Sequence, residues 1–75
     1  FNLFHDDAVK GKLADVIASL PHQEKMVIAL YYDKELNLKE IGEVLDISES
    51  RVCQIHSQAV GRMRSRMQHW LRDAR

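Results

Sequence analysis

The sequence holds a single cysteine, Cys53, so no disulfide can close within the chain, and a reducing, cytoplasmic setting is expected. One proline and three glycines are too few for a loop-rich chain or a flexible linker. The longest uninterrupted apolar run, Met26 to Tyr32, falls far short of the ~20 residues of a membrane-spanning helix. Nothing resembles a signal peptide, and the start at Phe1 rather than methionine is expected of a fragment of a longer chain. Strand patterning is missing too, because apolar and polar residues nowhere alternate for long. His5, His22, His56 and His69 show no close ligand pairing, so no metal site is expected. Cys53 and His56 are the one nucleophile–base pair close in sequence, and no third group orients them. Neither catalysis nor a cofactor is expected.

Net charge is the last absence. Eleven basic and eleven acidic side chains cancel, which by itself argues against a generic nucleic-acid binder. Their distribution argues the other way. Residues 1–46 carry five Lys and nine Asp/Glu, a net −4, whereas residues 47–75 carry six Arg and two acids, a net +4. One end is suited to an anion and the other is not. At 75 residues the chain is expected to form one small domain, 1–75, with a modest core.

The spacing predicts an all-α chain of four helices. The first runs from Asp7 to Leu20, capped by Asp6 or Asp7, with Leu13, Val16, Ile17 and Leu20 at i, i+3, i+4 and i+7. Pro21 ends it and opens the second, whose Val27, Leu30 and Tyr31 mark a buried face. A polar link spans Asp33 to Asn37. Asn37 then caps a third helix with Glu40 at N3, and Leu36 and Ile41 are placed as a hydrophobic staple.

Ser48 repeats the device eleven residues later, with Ile47 and Val52 as its staple. Two start signals so close mean two helices joined by a tight turn at Asp46-Ile47-Ser48, where Asp46 tolerates left-handed geometry. This is a helix-turn-helix over about residues 38–60. Gly42, lacking a Cβ, is placed where the next helix crosses closely. The last helix runs from Glu49 to about Leu71 and carries its buried stripe through Val52, Ile55, Ala59, Met63, Met67 and Trp70.

In such a motif the second helix enters the major groove with its N-terminal residues toward base edges. With Val52, Ile55 and Ala59 inward, Glu49, Ser50, Cys53, Gln54, Ser57 and Gln58 point out. Glutamine can pair bidentately with adenine, glutamate accepts from cytosine N4, and serine serves either role. Arg51, Arg62 and Arg64 are placed for flanking phosphates, as are Ser48 and the helix N-terminus.

The stretch SESRVCQIHSQAVGRMRSRM, with LPHQEKMVIALYYDKELNLKEIGEVLDIS before it, resembles region 4 of bacterial RNA polymerase sigma factors, above all the flagellar or motility class. The resemblance covers about Leu13 to Met67. It implies a four-helix domain that reads the −35 promoter element within RNA polymerase holoenzyme, directing transcription initiation. It also implies docking onto the β flap of the polymerase core and, in the motility class, onto an anti-sigma factor. By position it implies base reading by Glu49, Ser50, Cys53 and Gln54. Backbone contacts fall to Gln23, Tyr31, Leu38, Lys39, Ser48, Arg51, Ser57 and Gln58. The housekeeping class has arginine at slots 49 and 53 and glutamate at slot 50, so its guanine code does not transfer. Cys53 also stands where the motility class is expected to have serine.

The acidic, apolar side formed by Leu13, Val16, Ile17 and the Tyr31 region is expected to meet protein rather than DNA. Two rival readings use the same residues. One is the output domain of a response regulator, which shares LP-x-x-E and the helix-turn-helix but usually lacks ELNLKEIG and QIHSQA. The other is a protein-interaction module in which Phe1, Leu3, Phe4 and Val9 await a partner or fold back onto the core.

Overall fold

The computed structural model describes residues 7–73, and all its regular elements are helical. Helix α1 spans Asp7–Ala18 and α2 spans His22–Ile28, running on into a π-helical turn, Ala29–Asp33. Helix α3 spans Leu38–Leu45, and α4, Glu49–Asp73, is the long element against which the other three pack. The expected all-α architecture with its helix-turn-helix is what forms.

The capping devices explain where the helices begin. Asn37 Oδ1 accepts from the Glu40 backbone N–H at 2.8 Å, and Glu40 Oε1 accepts from the Asn37 N–H at 3.0 Å, closing the capping box. Ser48 Oγ accepts the Arg51 N–H at 3.1 Å at the head of α4. Between them Asp46 takes the left-handed conformation, φ 59° and ψ 45°, and the Ile47 N–H returns to the Gly42 carbonyl. Pro21 is the N-cap of α2. The expected cap of α1 by Asp6 or Asp7 lies outside what the structure describes.

Helix α1 stops at Ala18, two residues earlier than the spacing predicts. Ser19 and Leu20 turn ahead of Pro21, and the Ser19 hydroxyl donates to the Val16 carbonyl at 2.7 Å, drawing the chain off the helical path. The second departure is at Tyr31. The spacing predicts it on a buried face, yet it is 36 % exposed and Tyr32 is 58 % exposed. The cause is the π-helical turn, in which the Lys34 N–H reaches back to Ala29 and changes the angular phase of the side chains. That turn exits through Glu35 at φ 58°, a second left-handed residue, and the Leu36 N–H closes on the Leu30 carbonyl.

Two apolar clusters hold α4. Val27, Ile41, Val52 and Ile55 form one, with Leu30, Leu36, Leu38, Leu45 and Ile47 packed around them. Both expected staples, Leu36 with Ile41 and Ile47 with Val52, belong to it. Leu20, Ile28 and Ala59 form the other, with Ile17, Val60 and Met63 at its margin. Each large side chain taken fully out of water contributes about 1.5–3 kcal/mol. Val9 is buried, so it folds back onto the core; Phe1, Leu3 and Phe4 lie outside the described residues.

Candidate nucleic-acid interface

Glu49, Ser50, Cys53 and Gln54 are all exposed on the outward side of the first turns of α4, opposite Val52 and Ile55. The separation follows from the helical period: with Val52, Ile55 and Ala59 on one side, Ser50, Cys53 and Ser57 fall on the opposite side, and Glu49 and Gln54 on its two flanks. Ser50, Cys53 and Gln54 line an open depression with Ser48, Arg51 and Ser57. Gln58 is exposed one turn further on. The N–H groups of Glu49 and Ser50 precede the first intrahelical bonds, and the Ser48 hydroxyl takes the N–H of Arg51, not theirs. The head of α4 therefore presents free donors beside a polar side-chain face, an arrangement suited to a phosphate next to base edges.

A second shallow depression is lined by Tyr31, Leu38, Lys39 and Glu49, with Glu35, Leu36 and Asn37. It brings Tyr31, from the π-helical turn, beside the first turn of α3. The Leu38 side chain packs partly against the core and partly lines this depression. The capping box occupies the N–H groups of Asn37 and Glu40, which leaves those of Leu38 and Lys39 without an intrahelical acceptor. Gln23 is exposed in the first turn of α2 and lines neither depression.

Arg62 and Arg64 are both exposed, as expected of phosphate contacts, but Arg62 has a second engagement. Its Nε lies 3.1 Å from both oxygens of Glu24 and donates to Oε2. Glu24 is 6 % exposed, and a carboxylate that dry needs a cation beside it. The Arg62 Nε is taken up by this pair, which ties α2 to α4 across 38 positions of sequence, while half of the side chain stays exposed. Glu24 Oε1 has no hydrogen-bond partner among the described residues, so the pairing is one-sided. The sequence held a signal for this: Glu24 is the one acid on a face otherwise formed by Val27 and Ile28 at i+3 and i+4. Arg66 is also engaged, donating to the Ser19 hydroxyl.

The pair yields a prediction. Arg62→Ala strands a buried acceptor and is expected to lower stability by about 1–3 kcal/mol. Arg64→Ala should change stability by less than about 0.5 kcal/mol. Adding Glu24→Gln to Arg62→Ala should recover part of the loss, because a neutral amide is cheaper to bury unpaired. Urea unfolding of the variants measures each value, and equal midpoints for the two arginine variants would refute the assignment.

Two further contacts escaped the spacing argument. Arg51 Nη1 donates to Gln54 Oε1 at 2.7 Å, joining a residue expected to meet the backbone to one expected to meet a base. His56, the neighbour of Cys53 in sequence, is turned to Tyr32, whose hydroxyl lies 3.2 Å from its Nε2. Tyr31 completes the group, with its ring centroid 4.8 Å from that of Tyr32 and 4.9 Å from that of His56. This aromatic group bridges the π-helical turn and α4.

On the acidic side the expected docking residues separate. Val16 is 3 % exposed, so its side chain belongs to the core and offers nothing to a partner. Leu13 and Ile17 remain half-buried, with Ile17 against the second cluster. The reason is that α1 packs on both α2 and α4, which covers the centre of its apolar stripe and leaves only the edges accessible. No described helix is long and apolar enough to cross a membrane, and no described cluster of His, Cys, Asp or Glu has metal-binding geometry.

Comparison with known proteins agrees with this arrangement. Residues 16–65 match the family described as Sigma-70, region 4. RNA polymerase sigma factor FliA of Pseudomonas aeruginosa is 60% identical over 65 residues, covering 87% of this chain and 26% of that protein. FliA of Escherichia coli is 50% identical over 62 residues, 83% of this chain and 26% of its own length. The RNA polymerase sigma-D factor of Bacillus subtilis is 42% identical over 59 residues, 79% of this chain and 23% of its own length. No solved structure matches the chain. The chain thus spans about a quarter of the length of these relatives. The matched residues contain the capping box, the Asp46 turn and the exposed head of α4, and the chain belongs to the Sigma-70 region 4 family.

Proposed function

We propose that this chain is the promoter-reading domain of an RNA polymerase sigma factor of the motility class, acting in the cytoplasm on the −35 element during transcription initiation. The observation that carries the reading is the head of α4. Its outward residues, Glu49, Ser50, Cys53 and Gln54, stand exposed beside free backbone donors on a helix fixed by a buried opposite face. Such a helix can enter a major groove without rearranging. Glu49 and Ser50 supply an acceptor and a two-way hydroxyl, Cys53 a small and weakly polar contact, and Gln54 the donor–acceptor pair complementary to adenine.

Backbone contacts are assigned to Ser48, Arg51, Ser57, Gln58 and Arg64 on one side of that head. On the other they fall to Tyr31, Lys39, the Leu38 N–H and Gln23. Arg62 joins them only through its outer Nη groups, because Glu24 holds its Nε. With few cations free for phosphate, the domain by itself should bind DNA weakly and gain effective concentration from tethering within the polymerase.

The test is a promoter panel varied one base at a time across the −35 element, bound by holoenzyme carrying Gln54→Ala. About 1–3 kcal/mol of discrimination should vanish at one position, with the rest of the panel unchanged. A uniform loss across the panel would reduce Gln54 to a backbone contact.

The β flap and an anti-sigma factor are proposed to dock on the acidic side, at the accessible edges of α1 around Leu13 and Ile17 and near Tyr31. Nine acids before residue 47 repel phosphate, and the apolar edges between them suit a partner helix. Flap or anti-sigma peptide added to isotope-labelled chain should shift backbone amides before Asp46. Shifts confined to residues 49–66 would contradict the docking assignment.

A further inference from the structure

Gln54 reads adenine only if its amide points the right way round. The oxygen must meet the N6 amino group and the nitrogen must meet N7, and the reverse orientation sets donor against donor. Nothing intrinsic to an exposed glutamine chooses between the two, since its last torsion is broad and roughly two-fold. Yet in this structure the amide is held. Arg51, one turn earlier on the same outward side, donates from Nη1 to Gln54 Oε1 at 2.7 Å, a short charge-assisted bond.

We propose that Arg51 is a positioning residue that fixes the amide orientation of Gln54, and so sets the base preference at the position Gln54 reads. The proposal rests on the promoter-reading function above and reassigns a residue otherwise counted among the backbone contacts. Flipping the amide would turn its N–H groups toward a guanidinium that has only donors, so the pair admits one orientation. In that orientation Oε1 keeps a second lone pair for an adenine N6–H, and the Nε2 donors stay free for N7. Arg51, Gln54 and their neighbours Ser50 and Cys53 line the same depression, so the held amide lies on the reading face. Pre-setting the torsion also removes an ordering cost that the free side chain would otherwise bear on binding. Lysine would not substitute equivalently, because a single flexible ammonium lacks the planar fork.

The experiment measures binding of reconstituted holoenzyme to the single-base promoter panel at several salt concentrations. It compares four forms of the sigma factor: unchanged, Arg51→Met, Gln54→Ala and the double variant. Arg51 is exposed and its backbone N–H, not its side chain, takes part in the Ser48 cap, so Arg51→Met leaves the fold's capping intact. The expected result is a several-fold loss of discrimination for Arg51→Met at the position that Gln54→Ala flattens, and no further loss of discrimination in the double variant. A loss for Arg51→Met that is uniform over the panel, persists in the Gln54→Ala background and lowers the salt slope by about 1 would overturn the proposal and make Arg51 a phosphate clamp. A panel that Gln54→Ala leaves unchanged would overturn the promoter-reading assignment of Gln54 as well. The two failures are therefore separate observations.

Discussion

Ile55→Ala is expected to lower the stability of the domain by about 2–5 kcal/mol, the usual cost of emptying a closed core site. Ile55 is 1 % exposed and packs in one cluster with Val27, Ile41 and Val52, from three different helices. Its removal therefore loosens α2, α3 and α4 from one another at a single point. A domain of this size has little stability in reserve, so the variant should approach or cross its unfolding midpoint near 37 °C. The neighbouring substitution Gln54→Ala, one residue away on the exposed side, should shift stability by less than about 0.5 kcal/mol. Thermal and urea unfolding followed by far-UV circular dichroism give both numbers. Similar losses for the two variants would mean that the inward and outward faces of α4 are wrongly assigned.

Gly42→Val is expected to cost about 3 kcal/mol, the upper end of the overpacking range. A Cβ at Gly42 would stand 2.7 Å from the Ile47 carbonyl oxygen and 3.5 Å from the Glu49 nitrogen, both backbone atoms. Backbone cannot swing aside as a side-chain tip can, so the turn between α3 and α4 must open. That opening would weaken the Ile47 N–H bond to the Gly42 carbonyl and displace the head of α4. DNA binding should fall with stability, and the loss should extend across all promoter sequences because the whole reading helix moves. Gly61 provides the contrast. Nothing lies within 4 Å of its missing Cβ, so Gly61→Ala should stabilise α4 by about 0.5–1 kcal/mol through helix propensity. A Gly42→Val variant as stable as the unchanged chain would refute the close crossing.

The helix starts and the turn were legible because their causes are local. Asn37 with Glu40, Ser48 with the Arg51 N–H, and Asp46 at positive φ each involve residues at most four apart. Their geometry is dictated by the backbone between them, so the side-chain types at those spacings suffice to identify them. The division of the first half of α4 into a buried stripe and a reading face was legible for the same reason, as a regular helix converts sequence spacing directly into angle. Past Ala59 no other described helix covers the stripe fully, and Met63, Met67 and Trp70 are only half-buried.

What the sequence by itself determined, then, was the presence of four helices, the caps of α3 and α4 and which side of the head of α4 faces out. Tertiary packing decided the rest, because those outcomes depend on atoms far apart along the chain or on a break in helical regularity. Arg62 and Arg64 are equivalent as sequence, yet only Arg62 meets Glu24, 38 positions away, and the buried carboxylate gives it a structural role that Arg64 lacks. Val16 and Leu13 share one stripe, but α1 lies against its neighbours so that only Val16 is sealed. Tyr31 left its expected face because a π-helical turn reset the phase. Arg51 and Gln54 are near enough in sequence to meet, but two long exposed side chains have many rotamers, and spacing alone does not select the one in which they bond.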